Sequence, residues 1–147
     1  MNGMFKYAEA FNQDIGDWDV SAVTDMSKMF ENVEAFNQDI GEWNVSSVTS
    51  LSYIFDETDA FNKDIGEWDT GAVRYTTQMF SYAKAFNQDI SSWSLESMSS
   101  MSWMFLGASA FDQDLGWCLS EEVQSREDMF KDANCSVSDC GVTTGDC

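Results

Sequence analysis

The sequence contains no histidine and no proline, and only 7 of its 147 residues are lysine or arginine. Without histidine, a serine or cysteine nucleophile has no ordinary general base, and neither of the common glycine-rich phosphate-binding motifs occurs. The 26 acidic residues give a formal net charge of −19, which argues against binding to nucleic acid or to an anionic membrane. No apolar run approaches the roughly 20 residues of a membrane span. These absences predict a protein that is not an enzyme and does not span a membrane.

Aromatic residues, in contrast, are abundant and recur with a period of 25 residues. Three aromatic columns share this period: Phe11, Phe36, Phe61, Phe86 and Phe111; Phe5, Phe30, Phe55, Phe80, Phe105 and Phe130; and Trp18, Trp43, Trp68 and Trp93. Such a period is typical of repeat proteins, whose units bury their apolar faces only against neighbouring copies. We therefore predict one repeat domain over residues 1–147, with a partial repeat at 1–10, regular repeats at 11–115 and a capping region at 116–147.

Each repeat contains two apolar patterns with different spacings. In the second repeat, Ile40, Trp43 and Val45 are spaced like the inward residues of a short strand, while the apolar residues of 48–55 recur at steps of three and four, as on one face of a helix. The sequence therefore predicts an α/β solenoid. This would be a leucine-rich-repeat-like coil with short parallel strands on one face and short helices on the other. About five 25-residue repeats would be followed by a Cys-rich C-terminal cap.

The motif shared by the repeats reads Met-Phe-x-x-Ala-x-x-Phe-Asn-Gln-Asp-Ile-x-x-Trp-x-Val-Ser-x-Val-Thr-x-Met and covers almost the whole chain. It resembles the BspA-like leucine-rich repeat family, which includes the 25-residue repeats of mycoplasma surface lipoproteins. The resemblance implies a leucine-rich-repeat-like fold, an extracellular or cell-surface location, and a role in adhesion or protein interaction. It implies no catalytic residues. Because no basic and apolar leader follows Met1, we also expect the chain to be a fragment of a longer protein.

The four cysteines are confined to the C-terminal region, at Cys118, Cys135, Cys140 and Cys147. An even number in one cluster predicts two structural disulfides that close the end of the stack, in one of three connectivities. We favour Cys118–Cys135 with Cys140–Cys147. By the 25-residue register, the first three cysteines occupy inward columns. A zinc site is the alternative, but the cysteine spacing fits it poorly and no histidine is available.

Acidic residues occupy the solvent-facing positions of the predicted strands. These positions hold Asp17 and Asp19, then Glu42 and Asn44, then Glu67 and Asp69. Stacked about 4.8 Å apart, they would form two ladders on the concave face. Such ladders would bind a basic partner or hold Ca²⁺ weakly, since hard cations prefer oxygen ligands. The simpler interpretation is a polar exterior without a ligand, and we predict no dedicated metal site and no cofactor.

Two further polar columns, which begin at Asn12 and Asp14, lie at the turn that leads into each predicted strand. Recurrence at a turn is typical of side chains that cap backbone N–H groups. The Trp column has the inward parity of the Ile and Val columns, so we expect it in the core rather than on a sugar-binding surface.

Two functions are compatible with these observations. The first is a non-catalytic extracellular or cell-surface module for protein interaction or adhesion, with a protein or glycan ligand that the sequence does not identify. The alternative is an assembly element, a stalk or filament unit. Its copies would associate through the uncapped N-terminal end, where Met4 and Phe5 begin the chain in the middle of a repeat and leave apolar columns uncovered.

Overall fold

Between Gly3 and Gly145, backbone hydrogen bonds join residues about one repeat apart. The structure is a computed structural model that describes residues 1–121 and 123–145. Isolated parallel bridges connect Asp25 to Ser50, Ser50 to Tyr75, Tyr75 to Ser100, and Ser100 to Ser125. Successive 25-residue coils therefore lie directly on one another, and the repeat period is confirmed.

The predicted secondary structure is wrong. The described residues contain no helix, and their only strands are β1 (Cys118–Leu119) and β2 (Thr143–Thr144), which pair in parallel. The protein is thus not an α/β, leucine-rich-repeat-like solenoid with a helical wall and a wall of parallel strands. Nor do the described residues include a helix long and apolar enough to cross a membrane.

The segment predicted to be helical is a run of overlapping turns. The N–H of Ile54 donates to the carbonyl of Leu51 at 3.1 Å, within the same coil, whereas the N–H of Leu51 donates to Tyr75 in the next coil at 2.9 Å. A helix would direct all of these groups along the segment itself. Here alternate N–H groups point to the neighbouring coil, and the backbone reaches this arrangement through positive φ angles at Tyr53 and Glu57.

Positive φ angles recur at the same two positions of each coil. Ten non-glycine residues within the described ranges have them: Tyr7, Lys28, Asn32, Tyr53, Glu57, Gln78, Tyr82, Trp103, Asp128 and Asp132. The left-handed region costs on the order of 1–3 kcal/mol for a side chain other than glycine. The hydrogen bonds between coils and the buried core must therefore impose this conformation.

The segment predicted to be a strand consists of two turns. The N–H of Trp43 donates to the carbonyl of Ile40 at 3.2 Å, and the N–H of Val48 donates to Val45 at 2.8 Å. All four of these side chains are buried. Two successive turns thus produce the same inward pattern as a short strand.

The core consists of aromatic columns that run along the stack. The rings of Phe30, Phe55, Phe80 and Phe105 follow one another with centroids 5.8, 5.7 and 5.5 Å apart. The indoles of Trp43, Trp68 and Trp93 are each also held by a hydrogen bond, as where Trp43 Nε1 donates to the carbonyl of Ile15 in the preceding coil at 3.2 Å. The expectation that the Trp column lies in the core holds for Trp43, Trp68 and Trp93.

The inward pattern changes after Leu115, although the 25-residue backbone register continues, as in the pairing of Cys118 with Thr143. Trp117 is buried, and Cys118, which stands at the position of the Trp column, is exposed. The prediction that Cys118 points inward is therefore wrong. The physical reason is that Gly116, with φ of 58°, is the single residue between Leu115 and Trp117, whereas two residues separate the corresponding Ile and Trp in earlier coils.

The favoured disulfide pairing is also wrong. Cys135 bonds to Cys140, with Cα atoms 5.9 Å apart. Cys118 is disulfide-bonded as well, and Cys147 lies outside the described residues. Cys135 and Cys140 are both buried, as predicted, although the Ala column to which Cys135 was assigned is not buried in the earlier coils. Their short sequence separation allows this bond to close one turn of the cap rather than to link two coils.

Candidate functional site

The six side chains predicted to bind a partner lie on the surface. All of Asp17, Asp19, Glu42, Asn44, Glu67 and Asp69 are exposed. They form two columns with different local roles. The first column holds Asp17, Glu42 and Glu67, and the second holds Asp19, Asn44 and Asp69.

The second column caps turns. Asp19 Oδ1 accepts hydrogen bonds from Ser21 N at 3.0 Å and from Ser21 Oγ at 2.6 Å, which lowers the pKa of Asp19. Asn44 Oδ1 makes the same pair of contacts with Ser46, and Asp69 Oδ1 accepts from the N–H of Gly71 at 3.1 Å. These oxygens stabilise the chain's own turns, so the column has reduced capacity for a ligand.

In the first column, Glu42 and Glu67 come together with two aspartates. They line a cleft of about 190 Å³ with Asp39, Gly41 and Asp64, which we call the acidic cleft. Asp17 is not part of it. Sequence reasoning assigned the Asp39 and Asp64 positions only to capping. One sequence feature could have placed Asp39 and Asp64 in the candidate site, because each of them precedes a cleft glutamate, Glu42 or Glu67, by three residues.

The two aspartates of the acidic cleft retain partial binding capacity. Asp39 Oδ1 accepts from the N–H of Gly41 at 3.2 Å, and Asp64 Oδ1 accepts from the N–H of Gly66 at 2.9 Å. The predicted capping role of this column is thus confirmed, while the second oxygen of each carboxylate makes no bond to the described residues. None of the four cleft carboxylates forms an ion pair within 1–121 and 123–145. The cleft therefore concentrates negative charge that a positively charged group would offset.

The Asn column forms a ladder between coils. The N–H of Asn37 donates to Asn12 Oδ1 at 3.0 Å, and the same contact recurs from Asn62 to Asn37 and from Asn87 to Asn62. The predicted capping of backbone N–H groups is confirmed, and the donor lies one full coil away rather than in the same turn. This column is structural.

The first coil has an open edge, which we define by Met4, Tyr7 and Trp18. All three are exposed, and Trp18 keeps 39% of its surface in solvent against 3% for Trp43. The backbone at this edge also lacks partners, because the carbonyls of residues 2, 4 and 6 accept from no described residue. The equivalent carbonyls of residues 27, 29 and 31 accept from the first coil. The edge therefore presents both aromatic surface and free acceptors.

Metal-ligating groups do not converge in the part of the chain that the structure describes. No three His, Cys, Asp or Glu side chains there are arranged to hold a metal ion. Weak Ca²⁺ binding on the acidic surface stays a prediction.

The stacked 25-residue coils define a repeat protein. Comparison with known families then shows that the chain belongs to the family described as Mycoplasma protein of unknown function, DUF285, whose model matches residues 1–76 and 38–141. No curated protein and no solved structure matches the chain. The two overlapping matches fit a sequence built from one repeated unit.

Proposed function

We propose that this protein is a non-catalytic, BspA-like repeat module that acts outside the cell or at the cell surface and binds a protein partner with a basic surface. The observation that carries the proposal is the acidic cleft, where Glu42, Glu67, Asp39 and Asp64 lie together without a basic partner among the described residues. The absence of histidine from the sequence supports a non-catalytic role. The disulfide between Cys135 and Cys140 supports an oxidising compartment.

The proposal is tested by binding of a labelled decalysine peptide, followed by fluorescence anisotropy at low and moderate salt. The double variant Glu42→Gln/Glu67→Gln removes two charges from the acidic cleft. The control Glu9→Gln/Glu127→Gln removes the same charge from two exposed positions that do not line the cleft. We expect several-fold weaker binding and a smaller salt dependence for the cleft variant only. Equal losses in both variants would mean that net charge alone attracts the peptide, and the cleft would have no special role.

A second candidate function, self-assembly into a stalk or filament, is favoured by the open edge. An added coil would cover Trp18 as the first coil covers Trp43, and its N–H groups would meet the free carbonyls of the first coil. Sedimentation velocity of the untagged chain over a wide concentration range tests this, with Trp18→Asp as the variant. Growth along one axis that Trp18→Asp abolishes supports assembly. A monomer at every concentration refutes it.

A further inference from the structure

One column of the stack is polar although three of its four members are buried. It holds Lys6, Glu31, Asp56 and Ser81 in four successive coils, and we call it the polar column. Glu31 and Asp56 are only 9% and 8% exposed, and Ser81 is fully buried. Backbone hydrogen bonds between neighbouring coils place these residues at the same position along the stack. Charged groups are costly at such depth unless each has a partner.

The charges in this column do not balance. Lys6 Nζ pairs with Glu31 Oε1 at 2.8 Å, which leaves Asp56 without a cation of its own. Four groups act on Asp56: Ser81 and Lys6 favour its ionised form, while the negative charges of Glu57 and Glu31 oppose it. Removal of water is the largest effect, and it raises the pKa of Asp56 to about 6.

The hydrogen bonding in this column is also incomplete. Glu31 Oε2, Asp56 Oδ1 and Ser81 Oγ are buried and have no partner of good geometry among the described residues, although Ser81 lies within electrostatic range of Asp56. Two ionised carboxylates offer only acceptors, so neither can satisfy the other. A single proton on Asp56 changes this, because the protonated carboxyl gains an O–H donor in a column where Glu31 Oε2 is a buried acceptor without a partner, while Ser81 Oγ–H can donate to Asp56.

We propose that the polar column is a proton-binding site in which Asp56 takes up one proton at mildly acidic pH, shares it with Glu31, and thereby tightens the contact between their two coils. One added positive charge neutralises the set Lys6, Glu31 and Asp56. A divalent cation would instead leave a buried excess of one positive charge beside the Lys6 ammonium. The proton therefore fits the site better than a metal ion does.

The direction of the pH effect follows from the folded and unfolded states. The ordinary pKa of an aspartate is 3.8, so the folded chain binds more protons than the unfolded chain between about pH 4 and about pH 6. Stability from this site is therefore fully present at the acidic end of that window and is lost as the pH rises through 6. Between about pH 7.5 and about pH 4.5, we expect the unfolding constant to fall by about tenfold to a hundredfold on account of Asp56.

The test compares urea unfolding of the wild type, Asp56→Asn and Asp17→Asn across this pH range. The amide of Asp56→Asn mimics the protonated carboxyl, so this variant should be the more stable one at neutral pH and should lose the Asp56 component of the pH dependence. Asp17→Asn removes the same charge from an exposed site and should follow the wild type. If Asp56→Asn retains the full pH dependence of the wild type, the proposal is wrong.

A second measurement does not depend on the variant. Carbon-13 NMR of the side-chain carboxyl of Asp56 in the wild type should show a midpoint near pH 6, and a midpoint near 4 would contradict the proposal. Replacing tetramethylammonium chloride by NaCl at neutral pH should leave the wild-type stability unchanged. A stabilisation by Na⁺ that Asp56→Asn abolishes would mean that a metal ion, and not a proton, occupies the column.

Discussion

Replacing Phe55 by alanine probes the cohesion of the stack most directly. The Phe55 side chain is fully buried, and its ring lies 5.8 and 5.7 Å from Phe30 and Phe80 in the adjacent coils. It also contacts Phe61 at 4.0 Å in its own coil. Removing a buried Phe ring costs about 3–5 kcal/mol, because the transfer free energy is lost and a cavity remains. The neighbouring rings are held by the backbone of three coils, so little collapse into the cavity is expected, and the loss should lie toward the upper end of that range.

The assay is urea unfolding followed by circular dichroism, with Phe5→Ala as the matched control. Phe5 occupies the same column in the first coil but is only partly buried and has a coil on one side only. We expect this control to lose half as much stability, roughly 1.5–2.5 kcal/mol. Equal losses at Phe5 and Phe55 would refute the idea that each ring is stabilised by the coils on both sides of it.

Two further substitutions test single contacts by the same unfolding measurement. Lys63 occupies the position at which Gln38 and Gln88 donate to the Asn ladder in their own coils. Lys63→Gln should therefore add the corresponding bond to Asn37 and stabilise the fold by about 0.5–1 kcal/mol. An unchanged stability would mean that these amide contacts do not contribute to it. A Cβ atom at Gly66 would lie 2.7 Å from the backbone oxygen of Asp89, so Gly66→Ala should destabilise the fold by about 1–3 kcal/mol. Gly71→Ala, which meets only the Asp69 side chain, should be nearly neutral, and equal effects at the two glycines would contradict the close-approach argument.

The sequence predicted which residues are buried better than it predicted the backbone that buries them. Leu51, Ile54 and Phe55 are inward in the structure, as in the predicted helix. A run of turns whose alternate N–H groups leave for the next coil gives nearly the same spacing of inward side chains. What distinguishes these turns from a helix is the positive φ angle at two positions of each coil. Glycine, the residue that would reveal such an angle in the sequence, occupies only two of these positions, Gly3 and Gly107. Tyrosine, tryptophan and glutamine occupy others, so the sequence carried almost no local signal for it.

The surface was predicted only in part for a related reason. The alternation of inward and outward residues correctly predicted that Glu42 and Glu67 are exposed. Their grouping with Asp39 and Asp64 depends on turns, whereas the sequence analysis had predicted a strand in this segment. The polar column was missed because charged residues at its positions suggest an exterior. One sequence feature pointed to a buried position, because the same column holds Leu106 in the coil after Ser81.

The error at Cys118 has a local cause. A strict 25-residue step assigns Cys118 to the Trp column, but only Gly116 separates Leu115 from Trp117, so the tryptophan enters the core one position earlier and Cys118 is exposed. Trp117 Nε1 then has no partner in the described part of the chain, whereas the earlier indoles bond to a carbonyl. The 25-residue step of the backbone continues here, as in the bridge between Ser100 and Ser125, so the error lay in assuming that the same position of every coil points inward.

Comparison of the repeats within the chain separates positions that hold the coil from positions that are free to vary. The Asp14 column is unbroken through Asp139, and its members at residues 14, 39, 64 and 114 each accept a backbone N–H that closes a turn. The exposed column that starts at Asp17 changes to Glu at 42 and 67 and to Ser at 92. Because these side chains contribute little to the core, their charge can change without loss of the stack. A binding surface formed by such positions would be set independently of stability, and for that reason the test of the acidic cleft substitutes Glu42 and Glu67 and leaves its capping residues Asp39 and Asp64 in place.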